Sequence, residues 1–357
     1  MFTETVQSVL NRLYYADCPE RADVEYALDL RDETQIAELF DFADKVRRQH
    51  MGDGILLRGI VEFSNECDNT CQYCGLNKSN EKLSRYTLTD RQIIDCAEQI
   101  AKSGIKTVVL QSGQSSRLDA EWLAEIIRQI KTRFDMAITL SVGEKSLDEY
   151  ILWKKAGADR YLLKIETTNP DLYEKLHPSM SFENRMQCSR NLRLLGYQNG
   201  SGSIIGLPGQ TTADIAGDIL FFAREKFDML GIGPLIPNPA TALANHPAGD
   251  IEMVLKTVAV TRIVTKNAHL PATTATGSVN GIDYRKQALA AGANVIMPNF
   301  TPLPWRKLYE IYPGKRCLTE QQGACDYLDE TANMLGRKID YSRGDSLMIK
   351  TSDRITA

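Results

Sequence analysis

Three cysteines within eight residues are the side chains of this 357-residue chain whose types and spacing most clearly indicate chemistry: Cys67, Cys71 and Cys74. Thiolates at this density are typical ligands of a metal or a cluster. Three thiolates on a four-iron cubane leave one iron without a protein ligand, and that iron can chelate a small molecule. A structural zinc site is the alternative, although zinc would take a fourth Cys or His at regular spacing. The nearest histidine, His50, lies upstream of the first predicted strand, and three unrelated buried cysteines are disfavoured at this density.

Alternating strand and helix patterns must position these cysteines. Eight runs rich in β-branched residues are predicted as strands, at residues 56–63, 106–112, 136–142, 160–166, 202–206, 229–234, 270–275 and 293–298. Each pair of neighbours leaves room for a helix, which predicts an α/β fold with a closed parallel (β/α)8 barrel of the TIM type. An open doubly wound sheet is the alternative. The cysteine loop follows the first strand, at the end of the barrel where such folds keep their chemistry.

The same patterns divide the chain into three parts. Residues 1–52 are predicted as an N-terminal helical extension, residues 53–300 as the barrel, and residues 301–357 as a C-terminal extension packing on it. The formal net charge is −4, and no run of Lys and Arg interleaves with aromatics, which disfavours nucleic-acid binding. No apolar run approaches the roughly 20 residues of a membrane span, and no signal peptide is recognisable. We therefore expect a cytoplasmic protein that binds neither nucleic acid nor membrane.

The spacing C-x3-C-x2-C, with Tyr73 directly before the last cysteine, is the signature of radical S-adenosylmethionine (SAM) enzymes. Further segments resemble one group among them, notably Ala-Gly-Ala-Asp-Arg at 156–160 and Gly-Leu-Pro-Gly-Gln at 206–210. They are similar to the HydE maturases of FeFe-hydrogenase, whose relatives include methylornithine synthase and biotin synthase. The likeness runs from about residue 35 to residue 340. It implies one 4Fe–4S cluster on the three cysteines, SAM as cofactor, and reductive cleavage of SAM to a 5′-deoxyadenosyl radical.

The resemblance also implies a set of SAM-binding residues near the ends of the barrel strands: Tyr73, Gln114, Ser141, Glu166 and Arg185. SAM offers a carboxylate, an ammonium, a sulfonium and ribose hydroxyls, which suit a Glu and an Arg at one rim. Gln114 stands where these maturases have Glu, and a neutral amide accepts a hydrogen bond from ammonium more weakly than a carboxylate does. Without the resemblance, Gln114 would be interpreted as part of a polar turn, and Glu166 and Arg185 as surface ion-pair partners.

Five polar residues correspond to the substrate cavity of these maturases: Thr139, Arg160, Thr273, Thr274 and Tyr309. Inward hydroxyls and one Arg would suit a small anionic or zwitterionic substrate. Packing preferences of β-branched residues could explain the threonines alone, but not Arg160 on an inner face. Lys164 and Ile165 replace the Arg-His pair usual in the maturases, a difference that affects substrate choice rather than cleavage chemistry.

Two cysteines near the C-terminal end, Cys317 and Cys325, form an incomplete motif. Several HydE proteins carry C-x7-C-x2-C here for a second cluster, but Leu328 occupies the third position in this chain. Two thiolates leave a cluster short of ligands, so the sequence predicts a single cluster.

The leading hypothesis is a HydE-like maturase whose radical acts on a small cysteine- or thiol-containing substrate, or an iron complex, in assembly of the FeFe-hydrogenase H-cluster. The alternatives are a methylornithine-synthase-like radical mutase and a HydE-like enzyme with a different small substrate. From other classes, a non-catalytic iron–sulfur carrier and a zinc-binding structural module remain. The resemblance implies an electron donor such as ferredoxin or flavodoxin, and other maturases, as partners.

Overall fold

The structure is a computed structural model that describes residues 5–318 and 324–347. Within these residues eleven strands occur: β1 (Gly54–Leu57), β2 (Gly59–Ser64), β3 (Thr107–Ser112), β4 (Ala137–Ser141), β5 (Arg160–Leu162), β6 (Gln198–Ser201), β7 (Ile204–Ile205), β8 (Met229–Leu230), β9 (Gly233–Pro234), β10 (Val295–Ile296) and β11 (Lys338–Asp340). Seven of the eight predicted runs contain at least part of a strand, and two of them are split in two. The run predicted at 202–206 contains only β7, because the fifth strand of the main sheet, β6, comes before it, and the run predicted at 270–275 has no regular strand.

Thirteen helices of the described residues surround these strands. They are α1 (Val6–Tyr15), α2 (Arg21–Leu28), α3 (Glu33–Met51), α4 (Asp90–Lys102), α5 (Ala120–Arg133), α6 (Leu147–Ala156), α7 (Pro170–Leu176), α8 (Phe182–Leu194), α9 (Thr212–Glu225), α10 (Ile251–Thr265), α11 (Arg285–Ala290), α12 (Leu303–Arg306) and α13 (Ala324–Met334). In the described part of the chain, no helix combines the length and the apolar character that crossing a membrane requires.

The strands pair in parallel and in chain order, as expected for a TIM-type barrel. One sheet runs β2-β3-β4-β5-β6-β8, a second places β1 between β10 and β11, and a third joins β7 to β9. Arg58 separates β1 from β2, so the first barrel strand is shared between two sheets. Parallel pairing in this order, with helices between the strands, confirms the predicted TIM-type α/β class.

The predicted closure of the barrel is realised only in part. The seventh strand is predicted at residues 270–275, but this region makes only isolated parallel bridges, Met229 with His269 and Pro271 with Val295. Pro271 lacks an N–H and cannot extend a ladder. The residues after it turn instead, with the amide of Gly277 donating to the carbonyl of Thr273 at 3.2 Å. The barrel is therefore joined there by single bridges rather than by a regular ladder.

The N-terminal helices and the barrel helices share one hydrophobic core. Val9 of α1, Leu39 of α3 and Val260 of α10 are buried in the same cluster as the barrel residues. Helix α3 begins where the side chain of Asp32 accepts a hydrogen bond from the amide of Gln35 at 3.1 Å. It ends at Gly52, whose φ of 71° favours glycine.

A short segment after β11, residues 343–346, lies across the N-terminal ends of the barrel strands; we call it the base segment. The carbonyl of Arg343 accepts from Thr107 Oγ1 at 2.9 Å, and that of Gly344 accepts from Arg58 Nη2 at 3.3 Å. Asp345 pairs with Arg160 at 2.9 Å. Burial opposes its ionisation, but a hydrogen bond from Gln198 and the charge of Arg160 lower the pKa of Asp345 to about 2. The base segment thus covers the end of the barrel opposite the cysteines.

Candidate active site

A cavity of about 350 Å³ opens at the C-terminal ends of the barrel strands, and all three cysteines of the triad line it. The register between neighbouring strands explains which other side chains reach this cavity. Glu62 of β2 is level with Gln111 of β3, and Gln111 is level with Ser141 of β4. All three lie on the cavity wall. Because parallel strands present their carboxyl ends at one edge, the cysteine loop and these polar side chains converge there.

The cysteine loop is held to the barrel by hydrogen bonds from outside the loop. The guanidinium of Arg85 donates to the carbonyls of Asn65, Leu76 and Asn77 at 2.7, 2.8 and 2.7 Å. Gly113 at the end of β3 lets the loop pack closely, since a Cβ there would lie 2.3 Å from the carbonyl oxygen of Glu66. These contacts fix the backbone from which the thiols project.

The three cysteines are partly exposed at the cavity, and the surroundings of two of their thiols oppose ionisation. Burial, with the neighbouring thiol of Cys67, raises the pKa of Cys71 to about 12, and burial raises that of Cys74 as well. Cys71 and Cys74 are therefore thiols when no metal is bound, and a cluster would bind them as thiolates. Among residues 5–318 and 324–347, no three Cys, His, Asp or Glu side chains converge on a point where one metal ion could sit. A cubane presents a separate iron to each thiolate, so this arrangement fits a cluster better than mononuclear zinc.

Tyr73 lines the cavity beside the cysteines and is fixed by a histidine that sequence analysis missed. The ring nitrogen Nδ1 of His177 lies 2.7 Å from the carbonyl of Tyr173, which can only accept, so Nδ1 carries the proton. Nε2 is then the acceptor for the hydroxyl of Tyr73, 2.7 Å away. Burial lowers the pKa of His177 to about 4, which keeps the ring neutral. The orientation of Tyr73 is therefore set before any ligand binds.

Glu166 projects into the cavity from a strained backbone position. Its φ is 66°, which is rare for a residue with a side chain and costs on the order of 1–3 kcal/mol. The amide of Glu166 donates to the carbonyl of Gly202, and its carbonyl accepts from the amide of Ile204, both at 3.0 Å. Lys164 Nζ lies 2.8 Å from Oε2 as an ion pair. Oε2 nonetheless receives no well-directed hydrogen bond from the described residues, so it keeps the capacity to accept one.

Arg185 of α8 reaches the cavity with most of its donors already engaged. Nε donates to Glu144 Oε1 at 2.6 Å, and Nη1 donates to the carbonyl of Lys164. Nη2 has, within the described residues, only a weak contact of 3.9 Å to the sulfur of Met180. Burial opposes the charge, but Tyr173 and Glu144 outweigh it and raise the pKa of Arg185. A permanently charged group with one open N–H edge thus faces the cavity.

The remaining predicted SAM residues also line the cavity. Gln114 accepts the amide of Glu144 at its Oε1, 2.7 Å away, and its backbone carbonyl accepts the amide of Asp68 at 2.8 Å. Gln114 therefore links the cysteine loop to the residues that follow β4, and it makes both contacts without a bound ligand. Ser141, the last residue of β4, lies beside it on the wall.

The predicted substrate residues divide into two groups. Thr273, Thr274 and Tyr309 line the cavity, whereas Thr139 and Arg160 do not, and that part of the prediction needs correction. Arg160 begins β5, and its guanidinium binds Thr107, Gln198 and the base segment. Thr139 is level with Arg160 in the ladder and is fully buried. Arg160 lies at the N-terminal end of β5, and Thr139, which is level with it in the middle of β4, does not reach the cavity either.

Of the two cysteines of the incomplete motif, Cys317 has a side chain that the structure describes. Cys317 is partly buried, and its sulfur accepts a long hydrogen bond from Asn299 at 3.6 Å. The side chain of Cys325 lies outside the described residues. Leu328, at the third position of the motif, is buried in the hydrophobic core.

Several cavity or loop residues escaped sequence analysis, among them Glu62, Arg85, Glu144, His177 and Lys315. One of them carried a visible signal, because Glu62 is a lone acid in the apolar run Ile60-Val61-Glu62-Phe63. The others lie in loops and short helices, where sequence periodicity is silent. Their roles depend on contacts between distant segments.

This chain resembles known proteins in both sequence and structure. The model of the radical SAM superfamily matches residues 61–222. The [FeFe] hydrogenase maturase subunit HydE of Thermotoga maritima is 46% identical over 319 residues, which is 89% of this chain and 91% of that protein. The 3-methylornithine synthase of Methanosarcina acetivorans is 25% identical over 276 residues, 77% of each chain. The crystal structure of methylornithine synthase superposes with a TM-score of 0.81 at 22% identity, covering 93% of this chain and 97% of that one.

Proposed function

Because the chain belongs to the HydE family of radical SAM enzymes, we propose that it generates a 5′-deoxyadenosyl radical. The radical acts on a small cysteine- or thiol-containing substrate, or on an iron complex, during assembly of the FeFe-hydrogenase H-cluster. The observation that carries the proposal is the convergence of the triad with Tyr73, Gln114, Ser141, Glu166 and Arg185 on one cavity.

The residues of this chain have separable tasks in that reaction. When bound, the cluster supplies the electron that cleaves SAM. Cys67, Cys71 and Cys74 would hold the cluster and leave one iron open. The open Nη2 edge of Arg185 suits the carboxylate of SAM. Oε2 of Glu166, which pairs with Lys164 but takes no well-directed hydrogen bond, suits a ribose hydroxyl. The barrel wall excludes water from the reactive centre.

We propose the same setting and partners that the sequence indicated. The protein acts in the reducing cytoplasm, receives electrons from a donor such as ferredoxin or flavodoxin, and works with other maturases. A methylornithine-type mutase is the second candidate, supported by the relative at 25% identity. The much greater likeness to HydE favours the maturase.

We also propose that the protein carries a single cluster. Changing Cys317 and Cys325 together to Ser should leave SAM cleavage nearly intact, because two thiolates cannot complete a cubane site. Iron content and the rate of 5′-deoxyadenosine formation would be compared with those of the parent. A large loss of both would mean that these thiols hold a second cluster.

The proposed activity is tested by cleavage of SAM. Anaerobically reconstituted protein, reduced with dithionite, should convert SAM to methionine and 5′-deoxyadenosine. A non-catalytic carrier would give neither product, and a zinc module would contain no iron. Supplying a lysine-like substrate tests the mutase candidate, which alone predicts a rearranged amino acid.

A further inference from the structure

The cavity wall contains a buried ion pair to which the proposed reaction assigns no task. Glu62 of β2 and Lys315, in the segment that follows α12, lie with Oε1 and Nζ 2.6 Å apart. Their side chains are only 6% and 9% exposed, and both residues line the cavity. Burying two charges is costly unless further contacts satisfy them, so the pair calls for an explanation.

Neither partner uses its full hydrogen-bonding capacity. Nζ of Lys315 has three donors; one is directed to Oε1 of Glu62 and one to the carbonyl of Tyr309 at 2.8 Å. The second carboxylate oxygen, Oε2 of Glu62, is buried and has no hydrogen-bond partner among the described residues. The pair therefore keeps one open acceptor, Oε2, and one ammonium N–H without a hydrogen-bond acceptor among the described residues, on a cation that also lies 4.9 Å from the ring centre of Tyr309.

A purely structural role would account for only half of this arrangement. A bond between Glu62 and Lys315 anchors residues 309–315 to β2, and Oε1 alone achieves that. It gives no reason for a second carboxylate oxygen to be buried without a donor at the cavity. Glu62 also shares its level in the sheet with Gln111, whose Nε2 lies 3.2 Å from the hydroxyl of Tyr309. The open groups thus belong to a polar patch on an otherwise largely apolar wall.

We propose that Glu62 and Lys315 recognise the zwitterionic end of an α-amino acid substrate, an assignment that rests on the proposed function. The substrate ammonium donates to Oε2 of Glu62, and the substrate carboxylate accepts from Nζ of Lys315. An α-amino acid carries its ammonium and its carboxylate on one carbon. It can therefore meet both open groups of the ion pair at the same time. Sequence analysis expected Arg160 to provide a cation for the substrate. Lys315 provides one on the cavity wall instead.

The first test compares three small probes on the cluster-loaded protein with SAM bound. L-2-Aminobutyrate has the size of cysteine but no thiol, and bound SAM occupies the open iron, so iron ligation does not contribute to its binding. Propylamine is the same molecule without the carboxylate, and butyrate is the same molecule without the ammonium. Charge-assisted hydrogen bonds of this kind change affinity by roughly tenfold or more. We expect the amino acid to bind at least tenfold more tightly than either fragment, measured by equilibrium dialysis with radiolabelled probes.

Two variants should then separate the two contacts. Glu62→Gln should weaken L-2-aminobutyrate and propylamine about tenfold and leave butyrate unchanged. Lys315→Met should weaken L-2-aminobutyrate and butyrate and leave propylamine unchanged. The matched control is Glu98→Gln, which removes an exposed pair with Lys102 on α4 and should alter none of the three affinities. Iron content and SAM affinity report whether each variant is folded.

Equal binding of the three probes to the parent protein would overturn the assignment, as would folded variants that lose affinity for all probes alike. The comparison on the parent protein decides the question even if one variant does not fold. SAM cleavage is followed in the same samples. Normal cleavage without probe discrimination refutes this inference alone, whereas absent cleavage refutes the proposed function.

Discussion

Replacing Cys67, Cys71 and Cys74 together by Ala should remove essentially all of the roughly four irons that the reconstituted protein binds. Outside the triad, too, the described residues contain no three Cys, His, Asp or Glu side chains that converge on a single metal ion. SAM cleavage should fall to background, because no electron reaches the sulfonium without the cluster. Iron would be quantified chemically, and the brown absorbance of the cluster followed alongside it.

Two cysteines elsewhere in the fold provide the controls for this experiment. Cys188 on α8 is buried and Cys18 is exposed, and neither lines the cavity. Ala at either position should leave iron content and cleavage close to those of the parent. A triple variant that keeps a full cubane would show that the cluster is bound elsewhere.

Loss of either charged residue at the SAM site should weaken SAM binding about ten- to a hundredfold while the cluster stays intact. Removing one partner of a charge-assisted contact costs about 1.5–3 kcal/mol, which corresponds to that range. The changes are Glu166→Ala and Arg185→Ala, with affinity measured anaerobically and iron content checked in parallel. Arg185→Lys should recover only part of the affinity, because Lys cannot bind Glu144 and the Lys164 carbonyl while offering a free edge.

The control for this second experiment lies on the same helix as Arg185. Arg190 pairs with Glu183 on the exposed face of α8, so Arg190→Ala should bind SAM like the parent. If both Ala variants at the site bind SAM normally, Glu166 and Arg185 do not contact the cofactor.

The order of strands and helices could be predicted because it depends on local patterns. Apolar β-branched runs alternate with amphipathic helices through most of the chain, and the observed strands follow them. The absence of a regular seventh strand could not be predicted from that pattern alone. Its Thr-rich sequence has strand propensity, but Pro271 cannot donate to a ladder and the following residues turn.

Motifs and the family resemblance predicted a set of residues that line one cavity, but they did not predict how deep along its strand a side chain lies. Alternation correctly gives Arg160 an inward direction, but direction does not say at which level of the barrel a side chain lies. That level follows from register between neighbouring strands, which places Arg160 with Thr139 near the base. Lys315 became visible only in three dimensions, because it meets a partner 253 residues away.

The base segment has a consequence for how this protein is made. Arg58 and Gly344 are hydrogen-bonded across 286 residues, and Arg160 and the carbonyl of Arg343 across 183. Contacts so distant in sequence form late, because the entropy of closing a long loop must be lost first. During translation, the barrel strands leave the ribosome before the residues that cover their base. The nascent barrel therefore stays open at that end, with the buried arginines exposed to water, until residues 343–346 have emerged.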